Sequence, residues 1–224
     1  MPGRRRTVRP PKRKPAAGRG QARGRLLQAA LGAIRRSGYG ATTVDALCEA
    51  AGVTKGAFFH HFDSKEALGV AAANHWSETT SALFASAPYH GPADPLDRVL
   101  AYIDFRISLL EGPVPEFTCL AGTLLQECYD SSPAIREACD ASISGHAATL
   151  EADIAAAMER HGVRGVSARS LALHTQAVLQ GAFILAKARG GPAIARDSAA
   201  HLKRYFELLF GRSKSTRTQR GDAR

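Results

Sequence analysis

The chain has 224 residues and a formal net charge of +10, a length that suits one or two domains with a sizeable core. The positive charge lies at the two ends. Residues 1–23 hold nine basic side chains and no acidic one, and residues 212–224 hold five basic side chains and one acidic one. The part between them is mildly acidic, which excludes a uniformly basic protein.

Cysteine spacing and hydropathy exclude disulfide-rich secreted proteins and membrane proteins. The four cysteines show no CxxC spacing, and the N-terminus has no apolar signal core. No run of about 18 apolar residues predicts a membrane span. These features predict a cytoplasmic protein with free thiols and no membrane contact.

The two ends are predicted to be basic tails. Residues 1–20 are rich in Arg, Lys, Pro and Gly and lack the apolar residues that a core needs, so we expect them to be disordered. Residues 212–224 form a second basic tail. Two interpretations of the N-terminal tail are open: an arm along DNA phosphates or in a minor groove, and a solvated segment without a specific role.

Residues 21–68 contain helical stretches separated by residues that cap or end helices. A first helix is expected from about Gln21 to Ser37. Short helices follow, because a side-chain hydroxyl can accept an unpaired backbone N–H at a helix start and glycine can end a helix in the left-handed conformation. The residues suited to these roles are Gly38, Thr42 or Thr43, Gly52, Thr54, and Asp63 or Ser64. This is a helix-turn-helix pattern, whose second short helix enters the DNA major groove.

The same stretch carries a family resemblance. Residues 38–68 read GYGATTVDALCEAAGVTKGAFFHHFDSKEAL, which resembles the DNA-binding segment of the tetracycline-repressor (TetR) family of bacterial regulators. The resemblance implies an all-α fold, with a helix-turn-helix DNA-binding domain at residues 21–68 and a helical effector-binding and dimerisation domain at residues 69–211. One departure is Phe59, where that family usually has a Tyr whose hydroxyl could meet a phosphate.

The resemblance also implies which residues meet a double-stranded DNA operator. Helix N-termini and capping hydroxyls suit phosphates, and small residues permit close approach to bases. The residues that carry over are Thr43, Thr54, Lys55, Gly56, Ala57, Phe59, His60, His61 and Lys65. Adjacent helix positions diverge by about 100°, so His60 and His61 are a poor pair of metal ligands. The alternative is a helical hairpin with no role in nucleic-acid binding.

Further helices are predicted downstream, and no strand alternation or repeat is evident. Their approximate bounds are residues 64–86, 96–110, 116–130, 133–162 and 167–189, and after Pro192 a last helix carries Leu202, Tyr205, Phe206 and Leu209. At helical spacing, the third of these has an apolar stripe formed by Phe117, Leu120, Leu124 and Cys128. The opposite side of that helix carries Cys119, Gly122 and Gln126.

The last two helices hold more apolar surface than one small body can cover. The helix at residues 167–189 is apolar on more than one side. Residues 167–210 are therefore the natural candidates for a two-fold interface, with Phe183 and Leu209 as interface positions. The resemblance also implies a dimer bundle on the last two helices. We expect a homodimer.

In the geometry that the resemblance implies, the middle helices enclose a small-molecule effector. The candidate lining residues are Trp76, Tyr102, Phe105, Phe117, Cys119, Gln126 and Phe183. An aromatic residue taken singly is more often part of a core. Two interpretations of Cys119 are open: a thiol that senses electrophilic compounds, as in some relatives with a similar segment, and a small packed residue.

Catalytic chemistry is not indicated. The sequence shows no Ser/His/Asp arrangement, no paired carboxylates and no phosphate-binding loop, and Cys139 and His146 share a helix face without further metal ligands. We expect no catalytic residue, metal or cofactor. The predicted function is a homodimeric repressor that a small-molecule effector releases from its operator. The open alternatives are an enzyme acting on a small molecule in the helical domain and a sequence-independent architectural DNA-binding protein.

Overall fold

A computed structural model describes residues 17–212, which form α-helices and no strand, so the all-α prediction is confirmed. The helices are α1 (Ala17–Ser37), α2 (Val44–Ala51), α3 (Lys55–His61), α4 (Lys65–Ala85), α5 (Pro95–Ser108), α6 (Val114–Phe117), α7 (Leu120–Cys128), α8 (Pro133–His161), α9 (Ala168–Arg189) and α10 (Ala193–Leu209). A 3₁₀ turn, Pro88–His90, connects α4 to α5. Residues 1–16 and 213–224, with the tails predicted there, lie outside the described part of the chain.

The first helix is longer than predicted. It begins at Ala17 rather than Gln21, so residues 17–20 are helical and do not belong to a disordered tail. A buried face that includes Leu26, Ala30 and Ile34 anchors the helix. Once a helix exists, each further residue adds a backbone hydrogen bond without a new nucleation cost. Hydrophobic periodicity did not predict this extension, because the sequence of residues 17–20 contains no large apolar residue.

The helix caps that the sequence predicts around the helix-turn-helix are present in the structure. Three hydroxyls accept the backbone N–H three residues ahead at 3.0 to 3.1 Å, those of Thr43, Thr54 and Ser64. Gly52 ends α2 in the left-handed conformation, with φ of 61°. Leu47 of α2 and Phe58 of α3 are buried against α1 and the start of α4. We call α1 to α3 with the first turns of α4 the DNA-binding head.

The prediction of one helix over residues 116–130 is wrong. The chain forms α6 and α7, with an extended break at Thr118 (ψ 155°). Thr118 is completely buried, and Cys119 caps α7 because its Sγ accepts the N–H of Gly122 at 3.4 Å. Phe117 therefore lies on a different helix from Leu120, and the predicted common stripe does not exist.

Two further cores stabilise the C-terminal domain. One lies mainly among α5, α8 and α10 and contains the fully buried Tyr102 and Phe206. The other lies mainly between α9 and α10 and contains Leu179. The two long helices α8 and α9 begin at the caps Ser132 and Ser167, whose hydroxyls accept N–H groups of the first turn. No helix within residues 17–212 is both long and apolar enough to cross a membrane.

The outer face of α9 and α10 is apolar and exposed. Its large side chains are 39 to 55% exposed, namely Leu173, Ile184, Leu185, Tyr205 and Leu208. The predicted interface positions Phe183 and Leu209 pack instead into the chain's own cores. Neighbouring helix positions point about 100° apart, so Ile184 and Leu208 face outward where Phe183 and Leu209 do not. We call these five exposed residues the apolar face.

Candidate DNA-binding surface and effector cavity

The start of α3 presents a small polar surface to solvent. Thr54, Lys55 and Gly56 are exposed, Ala57 is half-buried, and Thr43 at the start of α2 is exposed as well. A Cβ added at Gly56 would have only the Thr54 hydroxyl within 4 Å. The surface therefore leaves room for a base edge or a sugar–phosphate backbone to approach α3 closely.

The end of α3 exposes an aromatic ring. Phe59 is 50% exposed, while Phe58 beneath it is buried and the two rings meet edge to face at 5.1 Å. His60 is exposed and His61 half-buried, with ring centroids 5.1 Å apart. A hydrocarbon ring at this position suits contact with a sugar or a thymine methyl group, because it offers no hydroxyl to a phosphate.

The predicted DNA contact Lys55 is engaged within the head. Its ammonium nitrogen lies 2.9 Å from a carboxylate oxygen of Asp45 on α2, and both side chains are exposed. The hydrogen bond and charge of Asp45 raise the pKa of Lys55. A phosphate that contacts Lys55 thus competes with Asp45. The pairing with Asp45 cannot be predicted from the sequence, because the two residues come together only when α2 and α3 pack.

Lys65 also has a role inside the head. Its Nζ lies 4.2 Å from the centroid of the Tyr39 ring and donates to the backbone oxygen of Gly40 at 3.4 Å. The ammonium group therefore braces the loop between α1 and α2. A variant at Lys65 changes this brace as well as any phosphate contact.

Glu127, at the end of α7, joins the C-terminal domain to the head. Its carboxylate accepts the backbone N–H of Tyr39 at 3.0 Å and that of Gly40 at 2.7 Å. Gly38 has φ of 87°, and a Cβ there would lie 2.5 Å from a Glu127 oxygen. We call this arrangement the Glu127 clasp. The Ser132 hydroxyl, which also donates to the Glu66 carboxylate on α4, adds a second link nearby.

A cavity of about 180 Å³ lies in the C-terminal domain. Four predicted effector residues line it, Trp76, Phe117, Cys119 and Phe183. The polar groups on its wall were not predicted, and they include Arg106, Glu116, His146, Gln176 and Gln180. Hydrophobic periodicity cannot reveal them, because they come from four different helices and lie between apolar residues.

The other three predicted effector residues do not line this cavity. Tyr102 is 1% exposed and belongs to the core, and Phe105 packs edge to face on Phe84 at 5.5 Å. Gln126 donates to the backbone oxygen of Gly122 at 3.0 Å and borders a separate small crevice. We remove Tyr102, Phe105 and Gln126 from the set of expected effector contacts.

A buried polar network supports one wall of the cavity. The Tyr102 hydroxyl lies 2.9 Å from His146 Nε2, and the Gln176 amide donates to the same hydroxyl oxygen at 3.2 Å. Burial, with a smaller contribution from the charge of Arg106, lowers the pKa of His146 to about 4. His146 is therefore neutral near pH 7, and its Nε2 can accept the proton that Tyr102 donates.

Cys119 lies where α7 meets α9. It is half-buried, whereas the other three cysteines are buried, and all four are free. A Cβ added at Gly122 would lie 2.2 Å from the Gln180 oxygen, so α7 and α9 approach closely at a glycine. Lys187 of α9 donates to Thr123 at 2.7 Å in the same crevice, and burial lowers the pKa of Lys187.

Among residues 17–212, no group of three or more His, Cys, Asp or Glu side chains is placed to hold a metal ion. The described site thus consists of a polar DNA-facing surface on α3, a partly apolar cavity, and α7 between them. These features are typical of ligand-responsive helix-turn-helix regulators.

The class and the family follow from comparison with known proteins. The profile described as "Bacterial regulatory proteins, tetR family" matches residues 26–72, and that described as "Tetracyclin repressor-like, C-terminal domain" matches residues 95–202. Together they match more than half of the chain, which belongs to the TetR family of transcription regulators. A comparison with curated proteins found no match.

Solved structures share the fold over most of the chain. A TetR-family regulator from Agrobacterium tumefaciens has 21% identity and a TM-score of 0.74, covering 84% of this chain and 98% of its own. A TetR regulator from Chloroflexus aurantiacus has 28% identity and a TM-score of 0.72, covering 84% and 96%. The reduced form of Escherichia coli NemR has 26% identity and a TM-score of 0.71, covering 82% and 95%.

Proposed function

We propose that the chain is a homodimeric repressor that a small molecule releases from its DNA operator. The observation that carries the proposal is the position of α7. Its N-cap Cys119 borders the cavity, and Glu127 in its last turn holds the head. A ligand that shifts α7 would also shift the loop before α2. Release requires only that the ligand prefer a state in which the head cannot bind DNA.

The proposed DNA surface comprises the starts of α2 and α3 and the exposed end of α3. Its members are Thr43, Thr54, Lys55, Gly56, Ala57, Phe59, His60, His61 and Lys65. Hydroxyls and cations are suited to phosphates, while Gly56, Ala57 and Phe59 offer small or apolar surfaces to base edges. The Lys55–Asp45 pair opens when a phosphate replaces the Asp45 carboxylate.

The proposed dimer buries the apolar face of α9 and α10. An exposed set of large apolar side chains on two adjacent helices marks an interaction site rather than ordinary surface. Two-fold pairing of like faces is the commonest symmetry among soluble oligomers. A dimer of this kind presents two copies of α3 to a roughly palindromic site.

The proposed effector binds in the cavity, and two chemical modes are open for it. It binds non-covalently, or it reacts as an electrophile with the half-buried thiol of Cys119. One similar structure, that of NemR, is of a reduced form, which makes thiol chemistry at Cys119 worth testing. We propose a cytoplasmic location, where operator DNA and reduced thiols occur together.

We propose no catalytic activity for the chain, in keeping with a family of transcription regulators. Turnover of a cavity ligand would favour the alternative of an enzyme. Equal affinity for all DNA sequences would favour an architectural protein.

A reporter gene tests repression directly. The operator, selected from random DNA with the purified protein, is placed between a promoter and the reporter. We expect expression to fall when the full-length protein is present and to be restored by a Gly56→Glu variant, which puts a like charge against the phosphates. Higher expression with the parent protein would identify an activator instead.

A further inference from the structure

The guanidinium group of Arg106 lies in the cavity without a protein acceptor. Its Cζ is 5.2 Å from the centroid of the Phe84 ring and 5.7 Å from that of Phe183. Within residues 17–212 it forms no hydrogen bond and no ion pair. The aromatic faces stabilise its charge, and its N–H donors keep their capacity to bind a ligand.

Two other cations of the C-terminal domain, Arg98 and Lys203, are paired with carboxylates. Arg98 lies 2.7 Å from Asp153, and Lys203 lies 2.6 Å from Asp104. Asp104 is on the same helix as Arg106, two residues before it, and its carboxylate is turned to Lys203. Arg106 is therefore left without the neutralising partner that its neighbours have, on the wall of a cavity.

The remaining titratable groups on the cavity wall do not cancel this charge. His146 is neutral near pH 7, because burial and the charge of Arg106 lower its pKa. Glu116 is exposed to solvent and lies beyond ion-pair distance of Arg106. Among the lining residues that the structure describes, Arg106 thus supplies the one permanent positive charge, and the same wall includes the apolar side chains of Trp76 and Phe117.

The volume of the cavity limits the size of the ligand, and the polar groups on its wall limit the chemistry of the ligand. Its volume is about 180 Å³, close to the ~150 Å³ of an engineered apolar cavity that binds benzene. A guanidinium group matches a carboxylate with two parallel hydrogen bonds. The Gln180 amide, which has no protein partner among the described residues, is available for a further polar group of the ligand.

From these observations we propose that the cavity binds a small organic carboxylate with one aromatic ring or an apolar body of similar size, and that Arg106 binds the carboxylate. The inference rests on the proposed function, since it assigns a chemical class to the effector of the same cavity. The proposed carboxylate binds non-covalently, and its binding does not depend on the reactivity of Cys119.

The first test varies the charge of the ligand on the unaltered protein. Calorimetry with the full-length protein compares benzoate and phenylacetate with their neutral amides and with benzylamine. We expect each carboxylate to bind at least about tenfold more tightly than its amide, because a hydrogen-bonded charge is lost in the amide. Equal binding of acid and amide overturns the proposal. Tighter binding of benzylamine overturns it as well and points to Glu116. Absence of binding by every carboxylate at millimolar concentration also overturns it.

The second test varies the protein. Arg106→Gln should abolish the preference for carboxylate over amide, and Arg106→Lys should keep part of it because the charge remains. Arg164→Gln, at an exposed arginine in the loop between α8 and α9, is the matched control and should bind like the parent. A full carboxylate preference in a folded Arg106→Gln variant overturns the proposal. If that variant does not fold, the ligand series on the parent protein decides alone.

Parallel DNA-binding measurements distinguish failure of the proposed ligand class from failure of the proposed function. If the protein binds a selected operator but no carboxylate, the ligand class is wrong and the proposed regulator stands. If the protein shows no preference for any DNA sequence, the proposed function fails whatever the cavity binds. If a carboxylate binds without changing operator affinity, Arg106 defines a ligand site that is not the effector switch, and this inference fails too.

Discussion

The carboxylate of Glu127 accepts the backbone N–H of Gly40 at 2.7 Å, across 87 residues of sequence. The same carboxylate holds the N–H of Tyr39, and the left-handed Gly38 leaves space for it. Because Glu127 is in the last turn of α7 and the N-cap of α7 borders the cavity, this contact connects the cavity wall to the head through a single short helix. A substitution at Glu127 should therefore interrupt the proposed coupling between the cavity and the DNA-binding head.

Glu127→Gln should loosen the head without unfolding the protein. The amide keeps one oxygen acceptor but sets an NH₂ group against the second backbone N–H, at a cost of about 1 kcal/mol. We expect faster hydrogen exchange at residues 39–61. A ligand that releases the parent from DNA should have less effect on the variant. Glu159→Gln, at an exposed position on α8, is the control. Unchanged exchange in Glu127→Gln would contradict a mechanical role for the clasp.

Asp45 and Lys55 should have opposite effects on DNA binding. Lys55→Ala removes a cation next to the phosphates, so the slope of log affinity against log salt should fall by about 0.9. Asp45→Asn removes the carboxylate that competes with phosphate for Lys55, so operator affinity should rise at low salt. Titrations at several salt concentrations measure both. If Lys55→Ala leaves the slope unchanged, Lys55 does not contact DNA.

The apolar face should determine the oligomeric state. Ile184→Glu or Leu208→Glu would bury a carboxylate in the proposed dimer, which costs roughly 3 kcal/mol or more. Sedimentation should then show monomers at micromolar concentration, with helicity retained, since both side chains are exposed in the single chain. Tyr129→Glu, at an exposed ring outside this face, should leave the dimer intact. A parent protein that sediments as a monomer refutes the proposed interface.

His146 should make stability fall as the pH is lowered. Its pKa is about 4 in the folded chain and near 6.5 in the unfolded chain, so the unfolded chain binds more protons between these values. Between pH 7 and pH 5 this group should remove roughly 2 kcal/mol from the free energy of unfolding. His146→Gln should lack that part of the loss in urea titrations at the two pH values. An equal loss in parent and variant would show that His146 does not titrate in this way.

Cys119 should react before the other cysteines. Burial raises the pKa of Cys48, Cys128 and Cys139, that of Cys139 to about 12, and their side chains are buried. Brief treatment with N-ethylmaleimide followed by peptide mass spectrometry should therefore label Cys119 first. Cys119→Ser keeps a capping side chain and should stay folded. If electrophiles release Cys119→Ser and the parent from DNA equally, the thiol is structural.

Residues whose role depends on near neighbours were predictable from the sequence. The caps at Thr43, Thr54 and Ser64 each need only an N–H three residues away. The break at Thr118 was not predictable, since a buried threonine in extended conformation depends on the helices that surround it. Tyr102 has an aromatic character that suits either a cavity wall or a core, and only the packing of α5 against its neighbours decides between them.

The polar residues of the cavity wall and the links to the head could not be predicted either, because each depends on contacts between distant parts of the chain. Arg106 has the sequence context of an ordinary surface arginine, and its position near the rings of Phe84 and Phe183 depends on the packing of three separate helices. Glu127 reaches Tyr39 and Gly40 only after α7 docks on the head. Periodicity shows which side of a helix is apolar but does not show which polar residue meets which distant backbone.

Selection of DNA from a random pool, followed by hydroxyl-radical footprinting on the enriched sequence, tests the central claim most directly. We predict that the full-length protein enriches a roughly palindromic sequence and protects two half-sites on one side of the duplex, about one helical turn or a multiple of it apart. Phe59→Ala and Lys55→Ala should weaken protection at both half-sites alike. A pool that shows no sequence enrichment, or protection of a single half-site by a dimeric protein, would contradict the account.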